Sequence, residues 1–356
     1  MLNKLKAYID KDAFWENVLS QLKQYDKLVI DSFVSNTCNL SCSHCYFLDY
    51  KPKGKALTYK QWSEILRDFT NYGVKHFHFS GKEPFCDKRI PKLLSLLDKE
   101  FPTSKLYYGL VTNGTKTNAR YINSLLETNL SYLEFSIEGT SNYNKSVRGD
   151  DHYGIVEQLI GDVNDKSKIN ITSTIYPNNL NELLEMTDHF HSLGLSKFNF
   201  APYLFFVKEQ FLPKYGTTVE TVLNFIGRCQ SFLKEKSYEA SSIDIRICLT
   251  PYQCYELFIS KNVLSPQIDD YIYKGKDMVF HIGNHILEIN YPLLSIPYMS
   301  QIVVTHDGYT IPCADDIHYE NFYKFSLGNL AYNCIEEIFI ERENFIIKYI
   351  NDNFNN

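Results

Sequence analysis

Three cysteines, Cys38, Cys42 and Cys45, stand in the run Asn36-Thr37-Cys38-Asn39-Leu40-Ser41-Cys42-Ser43-His44-Cys45-Tyr46. Their C-x3-C-x2-C spacing follows closely on an apolar stretch, Leu28-Val29-Ile30-Asp31-Ser32-Phe33-Val34. A strand that ends in a short loop carrying three thiolates can grip one face of an iron–sulfur cluster. A 4Fe–4S cluster has four irons, so three protein thiolates leave one iron open to a small molecule. That arrangement suits chemistry at the cluster better than electron carriage alone. Two blander readings stay open. A structural zinc site often has a Cys3His set, with His44 folding back beside its neighbour Cys45 as the fourth ligand. A surface disulfide suits less well, because the nine cysteines are an odd number, no secretory signal precedes them and the chain is large.

The rest of the chain has to hold that loop in place. With 356 residues, 44% of them hydrophobic, it has material for one large barrel and a smaller domain. A net charge of −6 argues against a dedicated nucleic-acid binder. No apolar run approaches the length of a membrane span, and the N-terminus has no long apolar segment. The expected location is the cytoplasm, where thiols stay reduced.

Residues 12–25 read as an amphipathic helix, with Phe14, Val18, Leu19 and Leu22 on one side. Strands and helices then alternate. The expected strands are Leu28–Val34, Val74–Phe79, Leu106–Thr112, Tyr132–Ile137, Ile169–Ile175 and Lys197–Pro202. The expected helices are Tyr59–Tyr72 behind a Thr58 cap, Ile90–Glu100, Asn118–Glu127, Gly154–Asp165 and Leu180–Ser192. Such repetition implies a parallel sheet with helices outside it, curled by right-handed crossovers into an open barrel. Chemistry in such barrels gathers at the C-terminal ends of the strands. The cysteine loop and each motif that follows below fall at such an end.

With those residues in view, the chain resembles the radical S-adenosylmethionine (radical SAM) family. The cysteine run matches that family's signature, including Asn39 and Tyr46. The resemblance implies an α/β fold, a partial (β/α)6 TIM-like barrel, with a small α+β C-terminal extension. It also implies that the open iron is chelated by SAM. One electron would cleave SAM to methionine and a 5′-deoxyadenosyl radical, which takes a hydrogen atom from the substrate. After the second strand, Ser80-Gly81-Lys82-Glu83-Pro84 resembles the family's Gly-Gly-Glu-Pro motif, with Lys82 in place of the second glycine. The resemblance gives Gly81 and Glu83 the SAM amino group. Asn113 stands in Val111-Thr112-Asn113-Gly114-Thr115 at the end of the third strand. Ser136 is expected to face the SAM ribose, and Arg148 to fork onto the SAM carboxylate.

From about Ser237 the alternation breaks down. Ile243–Leu249 and Ile302–Thr305 read as strands, Asp307-Gly308-Tyr309 as a hairpin and 334–349 as a helix. Asp307-Gly308-x3-Pro312-Cys313, followed by Leu327-Gly328-Asn329, resembles a SPASM or twitch extension. Members carrying one commonly modify peptides. Full extensions use about seven cysteines for auxiliary clusters, and only Cys313 stands in an expected place here. Cys248, Cys254 and Cys334 are the remaining candidates to join it. Peptide epimerases of the family use a thiol to return a hydrogen atom, and Cys86, Cys248, Cys254 and Cys313 are the candidate donors. The expected division is an N-terminal helical segment at 1–26, the barrel at 27–236 and the extension at 237–356.

The function implied is radical SAM chemistry on a peptide in ribosomal peptide maturation: crosslinking, epimerisation or oxidation. It requires one three-cysteine 4Fe–4S cluster, SAM and an external one-electron donor such as a flavodoxin or ferredoxin. A small metabolite, such as a sugar or nucleoside, is the alternative substrate. A cluster- or zinc-binding scaffold protein is the alternative from another class. Nucleic acid and membrane are not expected partners.

Overall fold

The structure, a computed structural model, describes residues 20, 22–45, 47, 50–101, 106–149, 152–203, 216–249, 278–290, 299–314 and 322–354. In chain order its elements are β1 (Val29–Ser32), α1 (Tyr59–Asn71), β2 (His76–Phe79), α2 (Arg89–Glu100), β3 (Tyr107–Thr112), α3 (Ala119–Leu126), β4 (Tyr132–Ser136), α4 (Ser141–Arg148), α5 (Tyr153–Asp162), β5 (Ile169–Ile175), α6 (Leu180–Ser192), β6 (Lys197–Pro202), α7 (Val219–Glu235), β7 (Asp244–Cys248), β8 (Met278–Ile282), β9 (His285–Asn290), β10 (Gln301–Val304), β11 (Tyr309–Ile311), β12 (Gly328–Asn329) and α8 (Ile335–Phe354). The chain forms two compact units, 1–37 with 49–108 and 295–356, and 38–48 with 109–294.

In the first unit, β10, β1 and β2 are parallel, and β11 and β12 continue antiparallel from β10. The strand expected at Ile302–Thr305 is therefore β1's neighbour, with Asp31 opposite Val303. Helix α1 begins at a capping box: the Thr58 hydroxyl accepts from the Gln61 N–H, and the Gln61 side chain accepts from the Thr58 N–H. Its Trp62, Ile65, Leu66 and Phe69 recur at helical spacing and are buried.

In the second unit, β4, β5, β6, β7 and β9 run parallel in that order, and β8 closes the edge as an antiparallel hairpin with β9. Strand β5, Ile-Asn-Ile-Thr-Ser-Thr-Ile, alternates buried and half-buried residues along its length. A period of two puts successive side chains on opposite faces. One face is the core: Ile171, Phe198, Phe200, Ile245 and Ile247 are buried there, and the Phe200 ring meets Phe225 of α7 edge-on at 5.2 Å. The other face is polar: Glu134 accepts from Asn199 at 2.6 Å, and Arg246 pairs with Glu288 at 3.0 Å. A parallel sheet packed on both faces would be apolar on both.

The expected elements from β1 to β6 are all present, most of them within two residues of their expected ends. Four of the other elements fall outside the expectation. Helix α4 is short and polar, helix α7 lies before the supposed break at Ser237, and β8–β9 is a hairpin turning at Gly283. The helix expected at 12–25 falls mostly outside the described residues; Tyr25–Lys27 form a turn of 3-10 helix. No described helix is long and apolar enough to cross a membrane.

Candidate active site

The cysteine loop belongs to the second unit. It turns tightly, with the Cys45 N–H bonded to the Cys42 carbonyl at 3.1 Å. Four further contacts dock it through groups other than the thiols. The N–H and hydroxyl of Ser43 both donate to the Val147 carbonyl near the C-terminal end of α4, at 2.9 and 3.0 Å. The Tyr203 hydroxyl donates to the His44 carbonyl at 3.3 Å. The His44 ring lies 3.5 Å from Glu138 Oε1. Helix carbonyls at a C-terminus lack partners within the helix, so Ser43 completes α4 while α4 fixes Ser43.

Cys42 is buried, Cys45 half-buried and Cys38 exposed. Burial pushes the Cys42 thiol up to about 11; Arg148 pulls it back, and Cys45, Cys38 and Glu138 push it further. The three sulfurs are thus close enough for their charges to interact. Among the described residues no three His, Cys, Asp or Glu side chains converge as ligands of a single ion. The His44 ring is directed at Glu138, so the fourth-ligand role in a zinc site does not fit this geometry. A 4Fe–4S cluster asks for something different, since each of its irons takes its own thiolate. Three cysteines on one short loop supply that donor chemistry, one thiolate for each of three irons.

Around the loop lies a polar cluster built from the ends of β4 and β5 and from α4. Glu138 is buried, and its Oε1 accepts from Arg148 Nη2 at 2.5 Å. Burial works against the Glu138 charge, but Arg148, His44 and the Thr174 N–H outweigh it and hold the carboxyl below its usual range. Burial works against the Arg148 charge too, and Glu138 reverses the balance. The His44 imidazole falls to about 4 through burial, Glu138 opposing and Arg148 assisting. It is neutral at pH 7, so its contact with Glu138 is weak and no ion pair. Arg148 Nε and His44 Nδ1 are buried without a hydrogen-bond partner. Buried polar groups are normally satisfied, so the Arg148 donor and the His44 ring nitrogen fit a site made to receive a polar ligand such as SAM.

Asn113 lies in the same unit, its Nδ2 3.8 Å from the Cys38 sulfur and 3.2 Å from Asn39 Oδ1. The Ser136 carbonyl contacts the His152 ring at 3.0 Å, and that ring also meets Asn144 at 2.8 Å. Cys248 is half-buried at the end of β7, opposite Asn290. Tyr46 and Cys254 lie outside the described residues.

The first unit holds the loop after β2. Gly81 takes a φ of +93°, and a Cβ there would come within 3.0 Å of the Phe33 ring. The left-handed backbone of the motif therefore falls on the glycine that is retained. Glu83 is buried, its N–H bonds the Thr37 carbonyl at 3.1 Å, and its Oε1 caps the turn by accepting from the Phe85 N–H at 3.0 Å. Cys86 is half-buried in that turn. Behind it stands an acid that motif reading missed: buried Asp31 accepts from the Ser80 hydroxyl at 2.6 Å and from Gln301 Nε2 at 3.1 Å. Burial pushes the Asp31 carboxyl above its usual range, against His78, Ser80 and Gln301. Cys313 is half-buried after β11, next to Ala314, whose N–H donates to Gln301 Oε1 at 3.3 Å. Cys334 is exposed at the start of α8.

Residues 32–190 match the family model described as Radical SAM superfamily. Over this segment the chain is similar to the radical SAM superfamily. Among curated relatives, a PqqA peptide cyclase of Bradyrhizobium diazoefficiens is 27% identical over 107 residues, covering 30% of this chain and 27% of the relative. The sporulation killing factor maturation protein SkfB of Bacillus subtilis is 23% identical over 202 residues, covering 54% and 48%. The matches thus span from about a quarter to half of those relatives' lengths. Among solved structures, Streptococcus suis SuiB bound to precursor peptide SuiA aligns over 91% of this chain and 68% of its own, at a TM-score of 0.65 and 14% identity. This last likeness concerns the fold, the partial β/α barrel of radical SAM enzymes.

In radical SAM terms, the second unit carries the three signature cysteines with Asn113, Ser136 and Arg148, and the first carries Gly81, Glu83, Cys86 and Cys313. Glu138, Ser43 and Tyr203 were not singled out from sequence. For Glu138 the signal available was a glutamate two residues past the end of β4, in a run otherwise built for burial.

Proposed function

We propose that the chain cleaves SAM reductively and turns the resulting radical on a peptide. The carrying observation is the docked cysteine loop, three thiols fixed by Ser43 and His44 with Arg148 in electrostatic reach of Cys42. When bound, a 4Fe–4S cluster and SAM supply one-electron cleavage and a hydrogen-abstracting radical. The chain's residues do the rest. Cys38, Cys42 and Cys45 hold the cluster. Glu83 and the backbone at Gly81 receive the SAM ammonium, Arg148 its carboxylate, and Ser136 and Asn113 orient the nucleoside. Tyr46 belongs to the same set by its place in the motif. The peptide reading is supported by the printed roles of the relatives, a peptide cyclase, a maturation protein and a structure holding a precursor peptide. A flavodoxin or ferredoxin would deliver the electron. Cys86, Cys248, Cys254 and Cys313 are the thiols to test as hydrogen donors.

The reconstituted protein is expected to release 5′-deoxyadenosine from SAM under dithionite, measured by chromatography. A cluster-loaded sample that releases none, with or without peptides encoded beside the gene, would move the assignment to a scaffold protein. Glu83→Gln keeps the acceptor for the Phe85 N–H but removes the charge. Hydrogen bonds to charged groups contribute about 1.5–3 kcal/mol, so SAM affinity should fall roughly tenfold or more with iron content unchanged. Unchanged affinity would remove Glu83 from the SAM site.

A further inference from the structure

We propose that Glu138 is a positioning residue, whose carboxylate holds Arg148 and the cysteine loop in the geometry that SAM binding requires. This rests on the reading of Arg148 as the partner of the SAM carboxylate.

The contacts fix Glu138 from four directions. Its side chain meets Arg148 Nη2 at 2.5 Å and the His44 ring at 3.5 Å through Oε1, and the Thr174 N–H at 2.9 Å through Oε2. Its N–H donates to Asn144 Oδ1 at 3.0 Å, and its carbonyl accepts from Asn179 Nδ2 at 3.3 Å. The carboxylate is therefore an immobile anion, joined to β5, to the end of α4 and to the loop between Cys42 and Cys45. Arg148 answers it with one nitrogen only. Its Nε is buried and unpartnered, so a donor of the guanidinium fork remains for a second carboxylate. One acid holds the arginine, and a ligand acid would complete it.

This job needs a glutamate. A glutamine at 138 presents one acceptor and one NH2 donor. Whichever way it is turned, the NH2 faces either Arg148 or the Thr174 N–H, both donors. One bond is lost, and the buried Arg148 charge loses its balance. Removing one partner from a buried pair leaves the other uncompensated.

The test is a double-mutant cycle on cluster-loaded protein, with SAM affinity read by equilibrium dialysis and SAM binding read again as the change in the spin-resonance signal of the reduced cluster. R148Q and E138Q should each weaken SAM binding roughly tenfold or more, the range for charge-assisted bonds. The double variant should be no weaker than R148Q alone, because residues acting through one another are non-additive. Additive losses, or wild-type affinity in E138Q, would overturn the proposal. Wild-type affinity in R148Q would instead overturn the underlying reading of Arg148. If E138Q takes up no cluster, E138D decides. It keeps the charge but withdraws it by one methylene, and intermediate affinity is expected. Full affinity in E138D, or loss of cluster uptake in both variants, would make Glu138 a folding residue and overturn the proposal.

Discussion

Reconstituted without oxygen, the protein is expected to carry about four irons and four sulfides per chain, and the triple variant Cys38→Ala, Cys42→Ala, Cys45→Ala close to none. The effect should be this complete because three thiolates on one short loop are the whole protein-derived ligand set proposed for the barrel cluster. The variant should still fold. Its loop is held by Ser43 on Val147, by Tyr203 on the His44 carbonyl and by His44 against Glu138, contacts that the substitutions leave in place. Circular dichroism of the variant should therefore match the wild type while iron and sulfide assays diverge. Stoichiometric zinc in the wild type, or iron unchanged in the variant, would reject the assignment. Iron persisting at about half would place a second cluster on the other cysteines.

Asp307→Ala should cause the largest loss of stability. The carboxylate is buried and accepts from Thr305 Oγ1 at 2.6 Å, the Gly54 N–H at 2.9 Å, the Lys53 N–H at 3.1 Å and the Tyr50 hydroxyl at 3.4 Å. A buried donor left without an acceptor, as Thr305 would be, costs about 1–3 kcal/mol, and the exposed Lys53 and Gly54 N–H groups can turn to water. A loss of about 2–3 kcal/mol is expected, the upper part of the usual range for a point substitution. Equilibrium unfolding in urea measures it, and a change below about 1 kcal/mol would show the network to be dispensable. Asp307→Asn, which keeps one acceptor, should fall between. The result bears on the extension. The Asp307 carbonyl accepts from Asn329 Nδ2 at 3.1 Å, and the Gly308 carbonyl from the Leu330 N–H at 2.8 Å. The two SPASM-like motifs thus bind each other, and the hairpin they form ties down residues 50–54 of the first unit. Gly308, at a φ of +90°, has room for no Cβ, because one would lie 2.7 Å from Asn329 Oδ1.

Much was legible in the chain itself. Ile169–Ile175, Leu180–Ser192 and Lys197–Pro202 occur where period and punctuation place them, because alternation and helical spacing are local properties. The cysteine triplet was legible for the same reason, its ligand spacing being contained in eight residues. Helix α4 was not: its Ser-Asn-Tyr-Asn-Lys-Ser-Val-Arg carries too few apolar residues to show a face, and it is held by contacts from outside. Asn144 meets the Glu138 N–H at 3.0 Å and the His152 ring at 2.8 Å, and Arg148 meets Glu138. The pairing of β10 with β1 joins residues about 270 positions apart, beyond any local pattern.

The sequence alone determined the resemblance to radical SAM enzymes, the alternating β/α order and the three thiols, since each depends on residue type and short spacing. Tertiary structure decided which charges face one another. Burial sets Glu138 against Arg148, leaves His44 neutral and places Asp31 under Ser80. Those outcomes follow from desolvation and from partners brought together across many residues, and the linear chain holds no record of either.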